Sequence, residues 1–566
     1  MLDKRDKWRM TWLAIQLVVG AFFELVGISV FLPLIQVFTG ETSESGFMKF
    51  MPAFFLEKNI NDKIIILCIV LIMIYLLKDV FLAYSLHYQF KFIYDFQNRT
   101  RTTLLGNYIN KPYIFHTHNN SADINRVLTS DVYNFSDYMV GLLQMISEII
   151  VSICLVLLLA FSDFITTIVI LLFLVVASAI YFIPARKALI SNGYKNQKAY
   201  SEFVKCMNQS WGSIKEIKVA KCEKYFINIF KEASTKYAHT KRFVQFVSGF
   251  PRFLLESMVI MGIALAIIFK VSYNGEIADI ISQLTLFAVA AYRLLPSVNR
   301  INAYYGMVNY NKASVDVVYT CMKESQNERR DKEKEGTNTD TGVLKQIEMK
   351  NITFFYPEEE KAVLSHVNIN IKVGQSVGIV GKTGSGKTTL VDILLGLLNP
   401  QEGEVMFNGH SIYDNMDAWL DKVGYIPQKV YILDDTIRNN VAFGYTQDID
   451  DNQIWAALKQ AQMDEFVKGL EQGLDTTVGE CGARLSGGQC QRLGIARVLY
   501  KKPEVIVLDE STSALDNETE AAVMSAIENM RGKMTLIIIA HRLSTIENCD
   551  IVYEVEDGKV IPKKFS

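Results

Sequence analysis

Six apolar stretches, at about residues 10–38, 64–86, 138–161, 164–183, 252–272 and 280–306, dictate most of what the first half of this chain can become. Each reaches the ~20 residues that a helix needs to cross ~30 Å of hydrocarbon. Lipid offers no partner to a backbone N–H or C=O, so segments of this kind must bond internally, and helices are expected. The first stretch follows Lys4, Arg5, Lys7 and Arg9, as a secretory signal would. It is too long for one, carries Glu24 and lacks a small-residue cleavage pattern, so it predicts an uncleaved span.

Charge divides the chain in two. Residues 1–330 hold 34 Lys/Arg against 24 Asp/Glu, or +10, and the remainder holds 24 against 36, or −12; together they make the formal −2. An apolar basic half joined to a polar acidic half accounts for 50% hydrophobic and 21% charged residues in one chain. It excludes disorder, collagen-like repeats and small disulfide scaffolds. The eight cysteines form no C-x-x-C pair, so neither a disulfide framework nor a zinc site is expected. His116 and His118 have no cysteine or acidic cluster beside them, which favours a polar loop over a metal role.

The loops orient the spans. Ala185–Arg252 holds 14 Lys/Arg, whereas Thr39–Asn61 holds only Lys49 and Lys58, and the turns at Asp163 and Tyr273–Asp279 hold none. The positive-inside rule then expects both termini in the cytoplasm, and the expected location is the cell (inner) membrane. Residues 90–137 and 185–250 are too polar for lipid yet keep helical periodicity, so the membrane helices are expected to continue far into the cytoplasm. Outside, Phe47–Met51 and Phe54–Leu56 fit either a short helix in the headgroups or an ordinary loop. Cys321–Gly342 is charged and almost free of apolar residues, as a solvated connector would be. The expected organisation is a polytopic α-helical membrane domain of six transmembrane helices over 1–320, a linker over 321–343 and a second domain over 344–566.

From Leu344 onward short apolar strands alternate with helical segments, the pattern of an α/β domain. Ser376–Val380 reads as a buried strand running into Gly381-Lys382-Thr383-Gly384-Ser385-Gly386-Lys387-Thr388. That octet matches the P-loop pattern G-x-x-x-x-G-K-[ST] at every fixed position, and Thr389–Leu397 continues as a helix. Glycines here let backbone N–H groups curl around phosphate oxygens at a helix N-terminus. Lys387 adds a full charge for the β/γ-phosphates, and the Thr388 hydroxyl is placed for Mg²⁺. Val505–Glu510 predicts a second buried strand ending in two carboxylates. Asp509 is the expected Mg²⁺-side acid, and Glu510 the expected general base for the water that attacks the γ-phosphate.

Leu485-Ser486-Gly487-Gly488-Gln489 decides which P-loop family the chain resembles, because this pentapeptide is the signature of ABC ATPases. Around it, Tyr356 resembles the aromatic that stacks on adenine, Gly424–Gln428 the Q-loop, Ser513–Asp516 the D-loop and Ala540-His541-Arg542 the switch histidine. Six spans followed by one such domain resemble the half-transporter layout of type IV ABC exporters along the whole chain. The resemblance implies ATP and Mg²⁺ as cofactors, bound by Tyr356, Gly381 to Thr389, Asp509 and Ser486 to Gln489. It implies Thr388, Gln428 and Asp509 as Mg²⁺ ligands, and Glu510, His541 and Gln428 as catalytic residues.

Ser486 and the Gly487 and Gly488 N–H groups would form a second phosphate cradle. One nucleotide cannot touch both cradles within a compact domain, and the family pairs two chains head to tail. A homodimer around two ATP is the simplest closed arrangement. Segments around Lys111–Asn120 and Ser210–Phe226 resemble the family's coupling elements, though generic solvated helices explain them nearly as well. Cys481 and Cys490 stand where exporters usually carry basic residues; Glu510 and His541 are intact, so both sites of a homodimer are expected to hydrolyse ATP.

Charges inside spans point to a transport pathway or to pairing. Arg293 and Arg300 are seven residues apart on one helix face, and Arg252 opens the fifth stretch after Pro251. Three arginines suit a phosphate or pyrophosphate, or they pair with Glu24, Glu148 or Glu256. Phe250-Pro251-Arg252 and Ala291–Arg300, together with Glu24, resemble PglK-type flippases of lipid-linked oligosaccharides. That resemblance implies an ATP-driven flippase moving a polyprenyl-pyrophosphate glycan to the outer leaflet. The alternatives are an exporter of another amphiphile, such as lipid A, a drug or a peptide, and an ATP-gated channel or regulatory subunit, which an intact Glu510 disfavours. The implied partners are a second half-transporter, the bilayer and a lipid-linked substrate, with no nucleic acid.

Overall fold

The structure is a computed structural model that describes residues 4–29, 59–162, 164–272, 277–332, 344–357, 359, 361–445, 448–509, 525, 527–528, 530–540 and 546–563. It divides into two compact units, Met1–Lys111 with His116–Lys332, and Pro112–Phe115 with Glu333–Ser566.

The first unit is helical. Its elements are α1 (Lys4–Ser29), α2 (Ile60–Ile109), α3 (Tyr113–His118, shared with the second unit), α4 (Ser121–Arg126), α5 (Val132–Ser162), α6 (Phe164–Gly212), α7 (Ile214–Ala220), α8 (Glu223–Ser272) and α9 (Ile277–Lys332). Helices α2, α6, α8 and α9 run for 50, 49, 50 and 56 residues. At 1.5 Å per residue that is about 75–85 Å, more than twice the hydrocarbon thickness. Among the described residues Lys4–Gly27, Ile60–Ile109 and Ser121–Leu157 are long and apolar enough to cross a membrane, yet their apolar windows are only 28%, 11% and 17% buried in the chain. Apolar surface left uncovered on that scale is what a lipid-facing helix presents.

Beyond the apolar stretches, polar side chains hold the helices together. Val127–Asp131 forms a single π-turn ending in Asp131, which is fully buried. Its carboxylate accepts from Arg126 Nη1 (2.9 Å), Gln197 Nε2 (2.8 Å) and Ser314 Oγ (2.8 Å), tying the start of α5 to α6 and α9. Burial pushes this carboxyl above its ordinary range, against the pull of the three donors. Nearby, a Cβ on Gly193 would lie 2.3 Å from the Tyr310 carbonyl oxygen, so only glycine lets α6 approach α9 there. Helix α9 continues through Lys332, so the charged segment that begins at Cys321 starts as helix. Its Lys, Glu, Gln and Arg are strong helix formers.

The second unit has two sheets. One is antiparallel, in the order β2-β1-β4-β5, from β1 (Gln346–Phe354), β2 (Leu364–Lys372), β4 (Glu402–Phe407) and β5 (His410–Ser411). The other runs β10-β9-β3-β8-β7-β6, from β3 (Ser376–Gly381), β6 (Val423–Ile426), β7 (Val505–Asp509), β8 (Thr535–Ile539), β9 (Ile551–Glu556) and β10 (Lys559–Lys563). Strands β9, β3, β8, β7 and β6 are mutually parallel, and the inner β8 and β7 are buried along their whole length because both faces are covered. Side chains alternate between the faces. Val505, Val507, Ile537 and Ile539 join the core around α10 (Lys387–Leu394), and Ile506, Leu508, Leu536 and Ile538 join the core around α11 (Gly487–Tyr500).

Candidate functional site

The turn between β3 and α10 is the Gly381–Thr388 octet, and two of its glycines admit no replacement. Gly381 has φ 154° and a Cβ there would lie 2.4 Å from the Val555 oxygen; Gly386 has φ 104° and would meet the Val363 oxygen at 3.1 Å. Lys387 is 6% exposed, and its Nζ donates to the carbonyl oxygens of Gly381 (2.9 Å) and Lys382 (3.0 Å), which holds the ammonium over the loop. Ser385 Oγ is buried without a hydrogen-bond partner, and the Thr388 side chain is exposed at the start of α10. Backbone amides, an ammonium, an unused hydroxyl and an open threonine together fit the phosphates of a nucleotide.

Sheet register brings the acids to the same edge. Ile379 pairs with Ile539, Ile539 with Asp509, and Leu508 with Ile426, so Asp509 and the residues after Ile426, including Gln428, emerge at the carboxyl end of the sheet beside Gly381. Asp509 is 9% exposed and accepts from the Tyr425 hydroxyl at 3.4 Å. Burial, with the Asp509 charge as the smaller cause, keeps the Tyr425 hydroxyl well above its usual range. Tyr356 shares a hydrogen bond with Thr389 Oγ1 (3.1 Å) and stands edge-on to Phe354, with ring centroids 5.1 Å apart. Glu510, the Ser513–Asp516 segment and His541 lie outside the described residues.

Asp392 is a member of this cluster that the motifs do not name. It is buried on α10, four residues after Thr388, a spacing that puts both on one helix face and is the signal by which it could have been found. Burial first, and the Asp509 charge second, push its carboxyl up to about 6. A folded-state value above the ordinary 3.8 means that folding favours the protonated form. That contribution is complete below about pH 4 and is lost as pH rises through 6. Asp392→Asn is therefore expected to raise the stability of the full chain at pH 7.5, by up to about 3 kcal/mol, and to leave it unchanged near pH 4. Thermal unfolding with EDTA and no nucleotide, across that pH range, measures the difference.

The signature pentapeptide meets α11 end-on. Ser486 is the N-cap of this 14-residue helix: its Oγ accepts from the Gln489 N–H (3.2 Å), and its own N–H donates to Gln489 Oε1 (2.8 Å). This capping box fixes where the first free N–H groups of α11 point, and Ser486 itself is exposed. The helix packs on the opposite face of the sheet from α10, so the signature and the P-loop rest on different cores. Cys490 is half-buried against its core, where it approaches Gly482, and Cys481 is exposed in a left-handed conformation at φ 51°.

Comparison with known proteins matches both halves. Residues 14–290 match the ABC transporter transmembrane region, and residues 364–513 match the ABC transporter family. The chain belongs to the ABC transporters. Its second unit is their ATPase domain, fused to a helical membrane region. The chain is 33% identical over 311 residues to the ATP-dependent lipid A-core flippase of Escherichia coli (strain K12), covering 54% of this chain and 52% of the relative. The flippase of the same name from Shigella flexneri matches equally, at 55% and 52% coverage. The match thus spans about half the length of these relatives. The structure of a bacterial Atm1-family ABC exporter with ATP bound superposes with a TM-score of 0.77 at 19% identity, over 98% of this chain and 94% of that one. The fold is that of an ABC exporter.

In the membrane region of this ABC transporter, charges meet in pairs. Arg300 Nε lies 2.8 Å from Glu148 Oε1, and Arg252 Nε lies 2.8 Å from Glu256 Oε1, one helical turn away. Lys78, a lysine that interrupts an apolar stretch, is the most buried of these cations. Its side chain is 6% exposed and sits 3.3 Å from Glu24 and over the Tyr75 ring at 4.4 Å. The Arg293 side chain and the Phe47–Leu56 segment lie outside the described residues. The two segments that resemble coupling elements each hold a short helix, α3 and α7. Ile114, within the Pro112–Phe115 piece of the second unit, packs against that unit's α10-side core.

Proposed function

We propose that this chain is one half of a homodimeric, ATP-driven exporter that moves a glycolipid-type amphiphile out of the cytoplasmic leaflet of a bacterial inner membrane. The observation that carries it is the union, in one chain, of a P-loop ATPase domain and a membrane region that both match ABC transporters. The signature and the P-loop face different cores, which supports completion of each nucleotide site by a second copy. Trp211 (71% exposed), Val219 (79%), Tyr225 (63%) and Ile227 (61%) cluster in sequence around α7. Apolar surface of that kind supports a partner covering this end, here the partner's ATPase domain.

At each site the Gly381–Thr388 loop and Lys387 hold the phosphates, while Tyr356 faces the base. Thr388, Gln428 and Asp509 would hold Mg²⁺, which would neutralise charge on the phosphates. Glu510 takes the proton of the attacking water, and His541 contacts the γ-phosphate side. ATP clamps the two domains together and hydrolysis releases them, and the long helices carry that movement to the spans.

For the cargo, the relatives named as lipid A-core flippases support the broader amphiphile reading. The narrower reading, a polyprenyl-pyrophosphate oligosaccharide, rests on the Phe250–Arg252 and Ala291–Arg300 strings. Arg252 and Arg300 already have carboxylate partners, which weakens a pyrophosphate role for them. Proteoliposomes containing the protein are expected to flip fluorescent lipid A with ATP several-fold faster than without. A lipid-linked oligosaccharide and a cationic dye complete the comparison. Transport of the oligosaccharide alone would restore the narrower reading, and transport of none would leave the exporter assignment without support.

A further inference from the structure

Inside the membrane unit α1, α2, α5 and α9 enclose a cavity of about 530 Å³. That lies in the ~300–1,000 Å³ range of small-molecule sites. Three side-chain amides line it, those of Gln16, Gln89 and Gln144. Gln16 and Gln89 line it and are each 2% exposed. Neither side-chain atom of Gln16 has a hydrogen-bond partner, and Gln89 Nε2 has none. Gln89 Oε1 accepts from Gln144 Nε2 at 2.7 Å, which orients the pair. The charges in the wall are matched. Glu148 pairs with Arg300 inside the cavity, and Glu24 pairs with Lys78.

We propose that this cavity is a ligand site within each subunit for an uncharged, hydroxyl-rich group of the saccharide type, held chiefly by Gln16 and Gln89. A buried amide with nothing to bond destabilises the fold by the cost of its desolvation. It persists where a ligand supplies both a donor and an acceptor, as a sugar hydroxyl does. A bare phosphate supplies only acceptors and would add charge to a wall whose charges already cancel. The depth suits a headgroup. Gln16, Gln144 and Arg300 each sit six residues inside the cytoplasmic ends assigned to their spans at Met10, Tyr138 and Gly306, and Gln89 lies three residues outside the end of its span at 86. At 1.5 Å per residue the lining reaches from about 5 Å outside the hydrocarbon edge to about 9 Å inside it, which brackets the headgroup boundary of the inner leaflet. This inference deepens the proposed function and rests on its topology and its amphiphilic cargo.

The test uses the full-length protein in a zwitterionic detergent free of sugar. Octyl glucoside, free glucose and an anionic phospholipid, phosphatidylglycerol, are titrated while the thermal unfolding midpoint is followed. The glucoside is expected to raise the midpoint saturably, and Gln16→Leu to weaken its apparent affinity about tenfold. Without ligand, Gln16→Leu is expected to unfold at or above the wild-type temperature, because it removes an unpartnered buried amide; a merely structural glutamine would lower it. Free glucose matching the glucoside supports the saccharide site and assigns it a soluble ligand. No saturable shift, a shift untouched by Gln16→Leu, or a response confined to phosphatidylglycerol overturns the proposal. Stabilisation by MgATP is measured in parallel and should be equal in both proteins. Failure of glycolipid flipping with glucoside binding intact would count against the transport reading alone; flipping with no glucoside binding would count against this site alone.

Discussion

Glu510→Gln is expected to lower ATP hydrolysis by about 10²- to 10⁴-fold, the usual contribution of a positioned general base. Nucleotide binding should survive, because the groups placed for it belong to a different strand and turn. The Gly381–Thr388 loop leaves β3, and Lys387 is anchored to that loop by its own carbonyls. Asp509, which Glu510 follows in the sequence, instead ends β7, two strands away across β8. Glutamine keeps the shape and loses only the ability to take a proton. Steady-state ATPase measured beside fluorescent-nucleotide binding separates the two effects. Normal turnover would move the base elsewhere, and a parallel loss of binding would mean that the substitution had disturbed the site as a whole.

The second large effect concerns Lys78 and Glu24. Lys78→Met removes an ammonium 3.3 Å from a carboxylate that is itself only 20% exposed, in a segment long and apolar enough to span a membrane. Breaking a buried pair from one side typically costs about 3–5 kcal/mol, because the remaining charge stays desolvated. The loss is expected near the lower end, about 3 kcal/mol, because Glu24 still lines a polar cavity. The double variant Glu24→Leu/Lys78→Met should recover most of it, since replacing a whole buried pair by apolar groups is often neutral. Thermal inactivation of ATPase activity in detergent, for the two single variants and the double, reads the coupling. Additive losses would mean that the two residues do not act as a pair.

The two halves of the molecule differed in how much of them could be read in advance. The P-loop is one contiguous octet, because cradling a phosphate requires successive backbone N–H groups in one tight turn. The same holds for Ser486 to Gln489, where the capping box is written in adjacent letters. Asp392 was harder. Its raised carboxyl comes first from burial and second from Asp509, which is more than a hundred residues further along the chain and is brought near only by the parallel sheet. In the membrane half the arginines were legible as charges in apolar surroundings, and Glu256 stood one helical turn from Arg252 on the same helix. The other partners were not legible: helix packing alone decided that Arg300 meets Glu148 and that Glu24 meets a lysine instead.

By itself the sequence determined the division into an apolar, helical half and an α/β half, and the local chemistry of the phosphate loop. Both follow from short-range physics: lipid forces backbone bonds to close within a helix, and a phosphate cradle is a property of consecutive residues. Only the tertiary structure decided that Glu148 answers Arg300, that Glu24 answers Lys78, and that Gln16, Gln89 and Gln144 share a cavity with Arg300. Those groups come from four helices separated by tens to hundreds of residues. A glutamine in an apolar helix has no meaning until packing shows which face it is on and whether a partner answers it.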